Sequence, residues 1–224
     1  MKKIYNRIKK LPFLILFFLA SLFLSCGKDV KSEKEVYSND FESGDLKNID
    51  GGLLTTFNKT KVLGRYNTGG FSLTVPNLPK HDLIEVSFDL YIHDTWEGNS
   101  IQESFAGPDM WTMSIDGNPY INTTFSNSDC IAGNFCPPQS YPDNYLNSYN
   151  NPKTGAFRTT LPGACALASS PKGTTQYKIV KQVAHSGSTV TLQCLAKLIQ
   201  TNVSDVLCDE SWSVDNIKIK VIAL

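Results

Sequence analysis

Residues 84–93 constrain the fold more than any other stretch of this chain. Ile84, Val86, Phe88, Leu90 and Ile92 alternate with Glu85, Ser87, Asp89, Tyr91 and His93. Successive side chains of a strand point to opposite faces, so this order gives one apolar side and one largely polar side. That is the pattern of an antiparallel strand half buried in a sheet; a helix would scatter the same residues around its axis. Shorter runs follow the same rule. Residues 53–57 and 71–75 come before it, and residues 110–116 and 120–125 follow, joined by an Asp-Gly-Asn-Pro turn. Residues 177–183 and 189–196 flank His185-Ser186-Gly187-Ser188, and residues 214–222 alternate again. No sustained helical period and no internal repeat interrupts this series. Short strands with turn-rich joins predict an all-β fold, an antiparallel β-sandwich of the jelly-roll kind with long polar loops. The longest loop, residues 126–175, is rich in Asn, Ser, Pro and Gly. A loop of that length in a compact domain carries function or is stapled down.

The amino-terminal segment reads differently. MKKIYNRIKK holds five basic residues and no acidic one, and an apolar run fills positions 11–24. A spanning helix needs about 20 apolar residues, so this shorter run reads as an export signal. It ends in Leu22-Phe23-Leu24-Ser25-Cys26, which resembles the lipobox of bacterial lipoproteins, with the bulky Leu24 a departure from the commonest pattern. The resemblance implies that residues 1–25 are removed and that Cys26 is lipidated, which would anchor the chain in a bacterial cell envelope. The outer membrane is the expected membrane, with its periplasmic and surface faces both open. Three acyl chains exceed the two signals that stable anchoring requires. Residues 26–37 then form a charged, flexible tether, and residues 38–224 form one domain, of a size that buries a core.

Removing the signal also uncovers a charge. The segment takes five of the 21 basic residues and none of the 21 acidic ones, which leaves the remainder five charges negative. That sign argues against a nucleic-acid partner, whose binding rests on Lys and Arg neutralising phosphates.

Export permits disulfides. With Cys26 spent on lipid, Cys130, Cys136, Cys165, Cys194 and Cys208 remain, an odd number that leaves at least one thiol unpaired. Cys130 and Cys136 share a polar loop and can pair locally. Cys194 and Cys208 flank a single connection and make the second expected pair, with Cys165 left over. No C-x-x-C spacing points instead to a metal.

Three acidic clusters sit at strand ends: Asp40 and Glu42 at the domain entrance; Asp94, Glu97 and Asn99 after the clearest strand, closed by Asp109; and residues 209–216 leading into the last strand. The F-E-x-G start, the terminal ESWSVDNIKI, and the internal FDLYIHDTWEGN, GPDMW, TTFSN and SYPDNY segments together resemble extracellular jelly-roll domains of the concanavalin-like and carbohydrate-binding-module group. The resemblance implies that the first and last strands lie side by side, with calcium held there by Glu42 and Asp215, helped by Asp40. Calcium takes six to eight oxygens from carboxylates, carbonyls and amides, so Asp94, Glu97, Asn99 and Asp109 form a second candidate set. Ordinary turn capping by Asp and Asn explains the same residues without a metal.

Catalytic signatures are scarce. No strand carries the E-x-D-x-x-E spacing of concanavalin-like glycosidases, no H-E-x-x-H pair occurs, and there is no G-x-S-x-G elbow. A non-catalytic binding or adhesion module for a glycan or a protein surface is therefore expected. The alternatives are a hydrolase with a divergent site and a structural envelope component. Trp96, Tyr141, Asp143, Asn144 and Tyr145 are the candidate ligand contacts, since flat aromatic faces beside amides and carboxylates suit sugars. The competing role for the tyrosines is to pin the long loop onto the sandwich. Oligomeric state is not readable from the sequence.

Overall fold

A computed structural model of the chain describes residues 29–101, 107–133, 136–200 and 203–224. The lipobox, Cys26 and the signal lie outside these residues. Among the described residues, twelve strands form two antiparallel sheets. The larger sheet runs β3 (Leu54–Phe57), β4 (Thr60–Tyr66), β12 (Glu210–Ala223), β6 (Leu83–Asp94), β10 (Thr174–Ala184) and β9 (Arg158–Leu161), with β1 (Ser32–Asn39) also paired to β12. The smaller runs β2 (Ile49–Asp50), β5 (Gly69–Pro76), β11 (Thr189–Lys197), β7 (Met110–Ile115) and β8 (Asn118–Thr124). Apart from the neighbouring pairs β3–β4, β7–β8 and β9–β10, consecutive strands cross from sheet to sheet, so that β4-β12-β6-β10 faces β5-β11-β7-β8. That is the jelly-roll order of an all-β sandwich.

The alternation in β6 is realised as read: Ile84, Val86, Phe88, Leu90 and Ile92 are all buried against the smaller sheet. Three tryptophans fill the middle. Trp212 of β12 and Trp111 of β7 meet edge to face, with centroids 6.0 Å apart and planes at 89°, a favoured aromatic geometry. The hairpin of β7 and β8 closes through Asp116 and Gly117, at φ 50° and 78°. Two consecutive positive φ values match the right-handed strand twist in a two-residue loop. Among the described residues, no helix is long and apolar enough to cross a membrane.

Three features depart from the sequence reading. Residues 32–37, expected to be tether, belong to β1 and pair along β12 from Ala223 back to Ile217. Their charges sit on a strand with a single neighbour, where charged side chains guard the free edge. The second departure is Thr60–Tyr66, which pairs with β12 at Trp212–Val214 and continues the sheet past the end of β1. The third concerns cysteine. Cys130 is bonded to Cys136, but Cys208 is bonded to Cys165 rather than to Cys194. Cys194 lies on β11 between Phe71 and Met113 of the neighbouring strands, fully buried, and burial pushes its thiol well up. A side chain that fills the core cannot also reach a surface partner. Cys165 is brought within 4.9 Å (Cα–Cα) of Cys208 on α1 (Val206–Asp209).

Opposite ends of the sandwich are tied in different ways. At one end, His81 Nε2 and His185 Nδ1 share a hydrogen bond of 2.6 Å, and His185 Nε2 lies 3.1 Å from Asp116 Oδ2. At the other, the Cys165–Cys208 bridge clamps the segment after β9 to the entry of β12. The bridge closes a sequence separation of 43, for which the chain-entropy account gives about 4 kcal/mol, the upper end of the typical range of about 2–4 kcal/mol. The double substitution Cys165→Ser with Cys208→Ser is expected to lower the unfolding free energy by about that amount, read as an earlier denaturant midpoint. An unchanged midpoint would remove the bridge from the stability of the fold.

Candidate functional site

The outward side of the larger sheet carries a trough of mixed lining, polar groups beside the exposed Val180, and the strands explain each group in it. Ser87, Asp89 and Tyr91 follow one another along the outward face of β6, and Lys178 and Val180 stand on β10 beside them. Across from Asp89, β12 breaks its register between Asp215 and Lys218, where Asn216 takes φ 55°. A bulge of this sort re-aims a side chain out of the ladder. Here it lays the Asn216 amide across the sheet, where Nδ2 donates to Asp89 Oδ2 at 2.9 Å. Ser87, Asp89, Lys178, Val180, Asn216 and Lys218 border a hollow of about 400 Å³. A second hollow, of about 350 Å³, shares Asn216 and Lys218 and extends over Asn39, Asp40, Ser43 and Asp45.

Tyr91 stands at the head of the trough. Its ring is 5.5 Å from that of Phe57, part of an outer cluster with Val62 and Leu161. Burial, then the charges of Asp89 and Asp215, raise its hydroxyl pKa, while Arg158 acts the other way. Beneath this cluster His93 is fully buried, with Nδ1 2.9 Å from Thr174 Oγ1 and Nε2 2.8 Å from Ser213 Oγ. Burial pushes its pKa down to about 3, so it stays neutral.

The residues expected to hold a metal are placed as follows. Asp215 is brought near Asp89, Glu42 and Asp40, whose charges add to burial in raising its pKa to about 7. Glu42 Oε1 accepts the Lys61 N–H at 2.8 Å, and Asp40 Oδ1 accepts the Glu42 N–H at 3.2 Å. Asp94 is enclosed and accepts the Leu167 N–H at 2.9 Å and the Cys165 N–H at 3.2 Å, so its carboxylate organises the loop that holds the disulfide. Asn99 Oδ1 accepts from Thr124 and Ser140 hydroxyls, and its Nδ2 donates to Ser148 O. Asp109 accepts from the Glu97 and Gly98 N–H groups. Among the described residues, no three Asp, Glu, His or Cys side chains gather closely enough to hold a metal by themselves.

The expected ligand contacts divide in the same way. Trp96 is wholly enclosed and donates from Nε1 to Ser211 O at 2.9 Å, which leaves no ring face for a sugar. Its neighbours Asp94 and Glu97 gave it the look of a surface loop residue. Tyr141 packs on Phe125 and Tyr177, with centroids at 4.8 and 5.2 Å. Tyr145 N donates to Asn122 O, Asn144 Oδ1 accepts the Asn122 N–H, and Asp143 O accepts from Thr123 Oγ1. The loop is thus laced along β8, the pinning role. Asp89, Tyr91, Lys218 and Arg158 were not singled out from the sequence, and Asn216 entered only as the last residue of the third acidic cluster. The polar half of β6 was the available signal, but which polar face is left uncovered depends on the partner strands.

No family model matches the chain, and no curated protein does. Among solved structures it is similar to a family 35 carbohydrate-binding module from Clostridium thermocellum, at TM-score 0.34 and 10% identity over 84% of this chain and 97% of that one. The xylan-binding family 22 module from Paenibacillus barcinonensis matches at 0.34 and 13%, over 83% and 99%. A family 115 4-O-methyl-α-glucuronidase with specificity for decorated arabinogalactans matches at 0.32 and 13%, over 87% of this chain but 18% of that one.

The raised pKa of Asp215 sets a pH dependence. An unfolded chain loses that proton near pH 4, whereas the folded chain keeps it to about 7. The contribution is complete below pH 4 and is lost as pH rises through 7. In chelator, Asp215→Asn is expected to melt above the wild type at pH 8 and together with it at pH 4. Parallel profiles would show that Asp215 ionises freely in the fold.

Proposed function

We propose that the chain is an exported, lipid-anchored, calcium-stabilised lipoprotein whose domain binds a glycan without cleaving it, through the trough on the larger sheet. The observation that carries the glycan reading is the composition of that trough. Hydroxyl, carboxylate, amide and ammonium groups line one uncovered face beside the Tyr91 ring. A polyhydroxylated ligand needs donors and acceptors in such density, with an aromatic flank to cover its apolar ring face. Binding of the wild-type domain on an oligosaccharide array is expected to weaken at least tenfold in Tyr91→Ala and to be unchanged in Tyr145→Ala. Equal loss in both, or none in Tyr91→Ala, would move the site elsewhere. A blank array, with a protein captured by cross-linking, would favour a structural envelope component.

A second reading has its own observation. Asp89 and Asp215 are direct cross-strand partners, which sets two carboxyl side chains next to each other on one face of the sheet, the residue types of a glycosidase pair. Asp215, protonated to about pH 7, has the character of the acid. Sugar release from array hits, abolished in Asp215→Asn, would establish hydrolysis; intact ligands after long incubation support binding alone.

The anchor rests on Cys26 and its lipobox. Cys26→Ser is expected to move the protein from the membrane fraction to the soluble fraction, and retention in the membrane would overturn lipidation.

A further inference from the structure

We propose that His81, His185 and Asp116 form a proton-held clasp: the three keep one proton beyond those of two neutral imidazoles, and its loss as pH rises loosens their end of the sandwich. The clasp joins three connections. His81 precedes β6, His185 links β10 to β11, and Asp116 turns β7 into β8. The first two connections pass between the sheets. His81 is 3% exposed and the His185 side chain 8%. Their contacts run in series: His81 Nδ1 to Pro79 O at 2.6 Å, His81 Nε2 to His185 Nδ1 at 2.6 Å, and His185 Nε2 to Asp116 Oδ2 at 3.1 Å. The rings lie within 13° of parallel, with centroids 4.9 Å apart. Stacked faces approach to roughly 3.5 Å, so the shorter nitrogen–nitrogen contact brings the rings edge to edge through a hydrogen bond. Asp116 is fixed from β11, where its Oδ1 accepts the Thr191 N–H at 2.8 Å and its N–H donates to Thr191 O at 2.9 Å.

These three contacts need three protons, and two neutral imidazoles bring two. The Pro79 carbonyl only accepts, so His81 Nδ1 carries the first. The second lies between the rings. Without a third, His185 Nε2 would turn a bare lone pair on the Asp116 carboxylate, and a polar group left unpaired in a buried place is costly. The contact therefore holds a proton between Nε2 and Oδ2, and the count is the same whichever atom carries it. Among neighbouring charges, Lys80 and Asp82 flank His81 in the chain. Asp82 Oδ2 accepts the Leu224 N–H at 2.9 Å, its carbonyl accepts the His185 N–H at 3.1 Å, and Lys31 Nζ lies 2.6 Å from Leu224 O. Residues 113–119 and 183–189 bring no titratable side chain besides Asp116 and His185. When the third proton leaves, the His185 connection parts from the β7–β8 turn, while Asp116 stays on Thr191. The end that loosens is the one where β1 begins, at Ser32 beside Ala223. No residue of the trough takes part.

The test uses the full-length chain and Asp116→Asn, which keeps the side-chain shape. An asparagine amide accepts the Thr191 N–H through its oxygen and offers its own N–H to a neutral His185, so the third proton is no longer needed. The folded wild type then holds one proton more than the folded variant, while the two unfolded chains hold equal numbers. Stability falls with pH where the folded form binds the extra proton. The folding constant of the wild type relative to Asp116→Asn is therefore expected to fall about tenfold per pH unit between about pH 6.5 and 8, read from denaturant unfolding at each pH. Titrations elsewhere in the fold are common to both chains and cancel. In a His185→Ala background the same comparison should give a ratio that does not change with pH. A constant ratio with His185 present would show that no extra proton is held, which overturns the clasp. A dependence that survives His185→Ala would give the proton to another partner of Asp116 and overturn it equally.

Discussion

The pairing of β6 with β12 is the constraint on which the rest of the molecule depends. These are the two longest strands, and they run together from Glu210–Asp94 at one end to Ile222–Leu83 at the other. Their inward residues supply much of the core, Trp212 and Val214 beside Leu90 and Ile92. Their outward residues supply the trough. Because side chains alternate strictly along a strand, a slip of one residue would exchange the two sets. The core locks the register, and the register therefore fixes which polar groups face each other outside. Only at Asn216 is the alternation broken, and there the amide turns to Asp89.

Much of the architecture was legible because it rests on alternation that a sequence displays directly. β6, β7, β11 and β12 all carry it, and the Asp116-Gly117 turn was visible as chemistry. What could not be seen was set by partners. Residues 32–37 are charged and polar apart from Val36 and Tyr37, and they form a strand because β12 offers an unpaired edge. Trp96 sits among acids in the sequence and in the middle of the core in space. Cys165 and Cys208 lie far apart along the chain, and nothing local distinguishes Cys208's true partner from Cys194, whose place inside β11 follows from its alternation with Gln193 and Leu195. The acidic clusters were visible as clusters, but the division of labour within them was not. Asp94 serves backbone N–H groups, whereas Glu210, read as part of a strand entry, faces the interior.

The long polar loop is likewise explained by the edge it covers. β8 is the outermost strand of the smaller sheet, and an open strand edge invites pairing with another chain. Tyr141 and Tyr145 donate their backbone N–H groups to Thr124 and Asn122 carbonyls, and Asn144 receives the Asn122 N–H. Asn, Ser and Pro in this segment therefore take the place of a strand without extending the sheet. Gln139, with Lys153 and Ser126 N–H groups on its carbonyl and the Thr154 carbonyl on its amide, fastens the loop from within.

The early start of β1 bears on where the domain could work. With Cys26 as the proposed attachment point, only residues 27–31 separate the lipid from a strand that already belongs to the larger sheet. Even fully extended, that leash spans about 20 Å. It is shorter than the domain it would hold, and β1 lies beside β12, next to Asn39 and Asp40 at the margin of the trough. On that proposal the domain would be moored by its larger sheet, close against the lipid surface. Its ligands would be molecules lying on or within the same envelope, rather than ones caught at a distance from it.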